Sequence, residues 1–182
     1  MPSLSLNEVK QYSKWKSNIF IETGTYIGDT LYNMLPEFNQ IYSIELSEKY
    51  VSYATKRFEN NNNVTIIQGD STLMLKQILN ELNDSVFFWL DGHWSGGDTA
   101  QGKLDCPLIE EISIINDTCT SKCIIAIDDV RLFGTNINED WSNITRDNIL
   151  HIVKNRLLSC EYFPSNLYSE DRMILHLDQL TL

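Results

Sequence analysis

Five short apolar runs, rich in β-branched and aromatic residues, set what this chain can become: IFIET at 19–23, IYSIE at 41–45, VTIIQ at 64–68, VFFWLD at 86–91 and CIIAID at 123–128. Each is of strand length, and each ends at a polar or acidic residue. Between them lie stretches with helical spacing. Residues 29–35 stop at Pro36; residues 47–60 have Ser47 as cap and Glu48 in the first turn; residues 72–82 have Ser71 as cap; residues 107–115 carry Pro107 in the first turn. A leading helix over 7–15, a late helix over 145–157 and two last strands over 158–163 and 173–177 complete the expectation. Strand and helix in strict alternation predict an α/β fold: a mostly parallel sheet with helices on both faces and right-handed crossovers. One domain over 1–182 is expected, with 1–18 as an N-terminal helical extension. Ligands of such sheets bind at the carboxyl ends of the strands, where the strand order reverses.

Charge narrows the partners. Against 14 Lys and Arg stand 25 Asp and Glu, a net charge of −11, and no basic run offsets it. That field repels a phosphate backbone, so nucleic acid is not expected as substrate, whereas a small or neutral acceptor such as a sugar is compatible. No apolar stretch is long enough to span a bilayer, and the polar first sixteen residues hold no secretion-signal core. A cytoplasmic location follows as the expectation. Cys106, Cys119, Cys123 and Cys160 form no CxxC pair, which favours buried reduced thiols over a structural zinc. Asn63, Asn116 and Asn143 open Asn-x-Thr triplets that would matter only in a secreted protein.

Chemistry gathers at the ends of the apolar runs. The first runs into Glu22-Thr23-Gly24-Thr25-Tyr26-Ile27-Gly28, which is not the GxGxxG of a dinucleotide site. Its glycines would permit a tight turn and a close approach to a ligand. Glu45 ends the second run, where a carboxylate can accept two hydrogen bonds from a ribose diol or simply stay solvated. Gly69-Asp70-Ser71 follows the third; Asp70 either accepts from an adenine amino group or helps to cap a helix.

Taken in order, ExGxxxG, an acid, GDS and a further acid resemble the class I S-adenosylmethionine-dependent methyltransferases over residues 19–131. The resemblance implies a Rossmann-like, seven-stranded, mostly parallel sheet and S-adenosylmethionine as cofactor. It implies that Glu22, Gly24, Thr25 and Gly28 line the methionine and ribose part. Glu45 would hold the ribose hydroxyls, Asp70 and Ser71 would flank the adenine, and Asp91 would close the set. Tyr26 stands where the family has a middle glycine.

A second group follows the fourth and fifth runs: Asp91-Gly92-His93 and Asp128-Asp129-Val130-Arg131. Burying carboxylates without partners is costly. If these strands are neighbours, their ends lie about 4.8 Å apart, and Asp91, Asp128 and Asp129 could share one divalent cation. All-oxygen ligation suits Mg²⁺ or Mn²⁺; ion pairs with Arg131 are the alternative. The arrangement is similar to that of the macrocin O-methyltransferase family of metal-dependent sugar O-methyltransferases. That resemblance implies methyl transfer to a hydroxyl of a sugar or glycan, with His93 where the family has an acidic base. Histidine suits the task because its ordinary pKa of about 6.5 lets it take a proton at neutral pH.

Around this group, residues 95–99 (SGGDT) could form a flap, Asp98 could orient His93 or touch substrate, and Trp94 and Trp141 could stack on a sugar or pack in the core. His151 and His176 receive no role. A non-sugar O-methyltransferase and a non-catalytic methyltransferase-like binding subunit are the competing functions. A nucleotide-sugar or nicotinamide enzyme lacks its GxGxxG cue. The chain is short, so the acceptor site is either open or completed by the second copy of a homodimer.

Overall fold

In the computed structural model, which describes residues 4–94, 96 and 99–180, the elements run α1 (Leu6–Tyr12), β1 (Ile19–Thr23), α2 (Asp29–Met34), β2 (Gln40–Glu45), α3 (Glu48–Arg57), β3 (Val64–Gln68) and α4 (Ser71–Leu79). They continue through β4 (Val86–Leu90), α5 (Leu108–Thr118), β5 (Cys123–Ile127), α6 (Arg146–Val153), β6 (Leu157–Phe163) and β7 (Arg172–Leu177), with a 3-10 turn at Val130–Leu132. The seven strands form one sheet in the order β3-β2-β1-β4-β5-β7-β6. All neighbouring pairs are parallel except those of β7, which runs antiparallel to β5 and β6. This is the expected α/β architecture with helices on both faces.

The side-chain period of two divides the core between the faces. Ile19, Ile21, Val86, Phe88, Leu90, Ile125 and Ile127 point to one side, where α4, α5 and α6 cover them through Leu75, Ile112 and Ile149. Phe20, Phe87, Trp89, Ile124 and Ala126 point to the other, under α1, α2 and α3. The central strands β1, β4 and β5 are buried at every residue, which is why they read as unbroken apolar runs. Full burial of each such side chain contributes about 1.5–3 kcal/mol. Cys106, Cys119 and Cys123 are free and buried, and Cys160 is free and half-buried.

Helix ends depart from the sequence expectation in instructive ways. Asp70, not Ser71, caps α4: its carboxylate accepts from the Thr72 N–H at 2.9 Å. Ser47 occupies the cap position of α3 but makes no side-chain cap bond, and its N–H donates to Glu45 Oε1 at 2.8 Å. Helix α3 ends at Arg57, short of residue 60, and α6 is likewise shorter than the 145–157 expected. The N-terminal segment is packed into the core: Val9 and Tyr12 of α1 are buried against the sheet.

Candidate active site

Strand order reverses between β1 and β4, and at their carboxyl ends a cavity of about 420 Å³ opens. Gly24, Glu45, Asp70, Ser71, Asp91 and His93 all line it. Gly24 sits at φ +84°, and a Cβ there would lie 2.6 Å from the Asp91 carbonyl oxygen. Only glycine lets the β1 loop pass so close to the end of β4. Tyr26, in place of the family's middle glycine, adopts the left-handed region at φ +48°. The backbone shape a glycine would give is kept, at a cost of order 1–3 kcal/mol. The Tyr26 ring packs on Tyr50 at 4.5 Å between centroids, and its N–H donates to Glu45 Oε2 at 2.9 Å. With Ser47 N–H on the other oxygen, the Glu45 carboxylate is clamped by two backbone donors, and each oxygen keeps a lone pair for a ligand.

Three residues expected at the cofactor lie off the cavity wall. Glu22 is buried beneath it, where its carboxylate accepts from Ser43 Oγ at 2.8 Å. Burial pushes its pKa up to about 8, against the pull of hydrogen bonds from Ser43 and Thr30. Thr25 turns its hydroxyl inward to Ser43, at 2.6 Å. Gly28 precedes α2 at φ +79°, where a Cβ would meet the Phe58 ring at 2.7 Å. These three support the loop from behind.

Beside the cavity, β4 and β5 are paired in register from Val86↔Cys123 to Leu90↔Ile127, so Asp91 and Asp128 follow at adjacent tips. The His93 side chain, 7% exposed, stands among carboxylates: Nδ1 is 3.7 Å from Asp91 Oδ1, and Nε2 is 3.5 Å from Asp129 Oδ2 and 3.8 Å from Glu139 Oε2. Neither ring nitrogen is hydrogen-bonded among the described residues. Burial lowers the His93 pKa, opposed by the Asp129 and Glu139 charges. Burial, then the charges of Asp128 and Asp129, raises that of Asp91 well above the carboxylate range. Asp91, His93 and Asp129 each offer a donor atom, all within 4.8 Å of one another.

Asp128 does not join them as expected. Its carboxylate faces Arg172 Nε at 3.3 Å, deep in the core. Arg172 also engages Glu8 and donates to the Tyr12 hydroxyl at 3.2 Å. Burial raises the Asp128 pKa to about 6, with Arg172 opposing. Adjacent residues diverge here because Asp129 takes a left-handed conformation, φ +61°, which turns its carboxylate back toward His93 and Arg131.

No family model matches the sequence, and no curated protein matches it. Solved structures do. An rRNA methylase from Streptococcus thermophilus superposes with a TM-score of 0.58 at 16% identity, over 100% of this chain and 99% of its own. The SAH-bound methyltransferase PaMTH1 of Podospora anserina gives 0.62 at 16%, over 90% and 73%. The N-methyltransferase NodS of Bradyrhizobium japonicum gives 0.61 at 8%, over 96% and 94%. The chain has the class I methyltransferase fold.

On that fold, the sequence had left two acids near the site unmarked, Glu139 and Glu111. Glu139 lies in the loop before α6, and its Oε2 accepts from the Trp141 indole N–H at 2.8 Å. Trp141 itself is 2% exposed, and its place is the core. Trp94 lines the cavity, and its N–H donates to the Asp105 carbonyl at 2.7 Å. Glu111, at the start of α5, is buried behind the cavity and accepts weakly from Thr23 Oγ1 at 3.4 Å. Burial raises its pKa to about 7. His176 is consumed structurally, by Ser159 and the Tyr12 carbonyl. The expected flap falls largely outside the described residues, which omit Ser95, Gly97 and Asp98. No helix among the described residues is long and apolar enough to cross a membrane.

Proposed function

We propose that this chain is an S-adenosylmethionine-dependent O-methyltransferase that acts on a hydroxyl of a sugar or glycan. The observation that carries the cofactor is Glu45: a carboxylate at the tip of β2, clamped by two backbone N–H groups and open to a cavity that matches one nucleoside-bearing ligand. Asp70, spent on its helix cap, keeps its second oxygen for the adenine side. Gly24 brings the backbone close to the methionine part.

The acceptor reading rests on His93. Burial keeps its imidazole neutral, and a neutral ring can accept a proton. The acceptor oxygen attacks the methyl carbon, the carbon–sulfur bond breaks, and sulfur keeps the electron pair as the neutral thioether of S-adenosylhomocysteine (SAH). The hydroxyl proton passes to a ring nitrogen of His93. In-line positioning supplies much of the rate.

A divalent cation, when bound, would make the acceptor hydroxyl more acidic. The residues present fit one at two carboxylates rather than three: Asp91 and Asp129 would hold it, Mg²⁺ or Mn²⁺ by donor type, while Asp128 stays with Arg172. The net charge of −11 speaks against an RNA acceptor, whatever the substrate of the rRNA methylase of like fold.

The test is a transfer assay with methyl-labelled S-adenosylmethionine against saccharides, non-sugar alcohols, amines and RNA, with and without EDTA. Label in a saccharide as an alkali-stable ether is expected, with loss of rate on chelation. Label confined to amines or RNA would overturn the acceptor class, and full activity in EDTA would remove the cation alone.

A further inference from the structure

We infer that Glu111 is the positioning residue of Ser71: it draws the Ser71 O–H away from the cavity and so turns a lone pair of that oxygen toward the ligand, as an acceptor for an exocyclic amino group. The inference rests on the reading of the cavity as the site of an adenosine-bearing methyl donor. A hydroxyl has one hydrogen to give and two lone pairs, so the partner that takes the hydrogen decides what the oxygen shows on its other side.

Glu111 stands where three elements that frame the cavity meet: its own helix α5, the end of β1 through Thr23, and the start of α4 through Ser71. It is 1% exposed. Its Oε2 accepts from Thr23 Oγ1 at 3.4 Å, and Thr23 is itself held in place: a Cβ on Gly92 would lie 3.0 Å from that hydroxyl oxygen. The other oxygen, Oε1, is buried without a hydrogen-bond partner among the described residues. A buried polar atom left this way is costly and calls for a donor. Ser71 supplies it. Burial raises the Glu111 pKa, and the Ser71 hydroxyl, then that of Thr23, pulls it back down, as hydroxyls that donate to a carboxylate do. With Thr23 on Oε2, Oε1 is the oxygen left for Ser71.

Ser71 lines the cavity, and no other partner competes for its hydroxyl among the described residues. Beside it, Asp70 spends Oδ1 on the Thr72 N–H and hydroxyl and keeps Oδ2 free. Two acceptors thus stand side by side on one stretch of wall. The 6-amino group of adenine carries two N–H donors and matches them. The 6-carbonyl of hypoxanthine would set a third acceptor against both and be repelled. If the Ser71 hydroxyl were free to rotate, it would donate to such a carbonyl instead, and the wall would lose its preference. Glu111 acts by forbidding that rotation.

The experiment is calorimetric titration of the full chain with SAH and with its 6-oxo analogue, S-inosylhomocysteine. It is run at about pH 8, above the value of about 7 to which burial raises Glu111, so that the carboxylate accepts. The wild type is expected to favour SAH by about a hundredfold or more, since a site built to bond an N–H rejects the analogue that lacks it. In Glu111→Leu, which fills the space without an acceptor, that ratio should fall about tenfold, the worth of one hydrogen bond to a charged acceptor's partner. Ser71→Ala should lower it likewise, because the effect runs through the hydroxyl. Glu111→Gln, of the same shape, serves if Glu111→Leu does not fold, and should also lower the ratio. A carboxyl that merely supported the fold would weaken both ligands alike, so a ratio unchanged in the Glu111 variants or in Ser71→Ala overturns the inference alone. No affinity for either nucleoside in the wild type would overturn the cofactor reading, and this inference with it.

Discussion

At the tip of β2, the Glu45 carboxylate receives two backbone N–H donors within 3 Å, so its orientation is set before any ligand arrives. At the tips of β4 and β5, Asp91, Asp129 and Glu139 surround His93 at 3.5–3.8 Å, near enough to interact and too far to bond well. The first region is complete as it stands. The second crowds carboxylates together, and burial, then the charges of Asp128 and Asp129, raises the pKa of Asp91. On the proposed reading, the first region is the prebuilt cradle of the methyl donor and the second awaits the acceptor, as methyl transfer by positioning requires.

The contrast can be broken most forcefully at His93. Replacing it with Ala should lower turnover about 10²–10⁴-fold and leave SAH affinity unchanged. Activity equal to the wild type in the transfer assay would remove His93 from the chemistry. Next in size, Gly24→Ala places a methyl 2.6 Å from the Asp91 carbonyl at a positive φ, and so joins the two regions by a clash. We expect about 1–3 kcal/mol of lost stability in denaturant melts, together with weaker SAH binding. Wild-type stability would mean that the loop has room the structure does not show.

A smaller effect isolates the support under the cradle. The folded pKa of Glu22 is about 8, raised from an ordinary value of 4.5, so between those limits the native state holds a proton that the unfolded state has released. Stability therefore falls as pH rises through this window and levels off above it. Glu22→Gln should flatten that part of the pH–stability curve. An unchanged slope would assign the dependence to another group, Glu111 first, since its pKa is raised to about 7.

Much of this was legible in the sequence because the central strands are buried on both faces. The short apolar runs mark the strands and the tips where ligands gather, and Gly24, Glu45, Asp70, Ser71, Asp91 and His93, which motif resemblance singled out at those tips, line one cavity. The choice between Asp128 and Asp129 was not legible. They are adjacent acids, and what separates them is Arg172, carried to the tip of β5 by the antiparallel return of β7. Glu139 left no signal, because its loop has no periodicity and its place comes from contacts with Trp141 and His93. Glu22, Thr25 and Gly28 share a motif with Gly24, but spacing alone does not say which residues of a turn face the ligand and which face the core.

Calorimetric titration of the full chain with SAH, beside the Glu45→Ala variant, tests the central claim most directly. One saturable site is predicted for the wild type, with Kd raised roughly tenfold to a hundredfold in the variant, as loss of charged hydrogen bonds worth about 1.5–3 kcal/mol implies. Absence of binding in the wild type, or equal affinity in the two proteins, would contradict it.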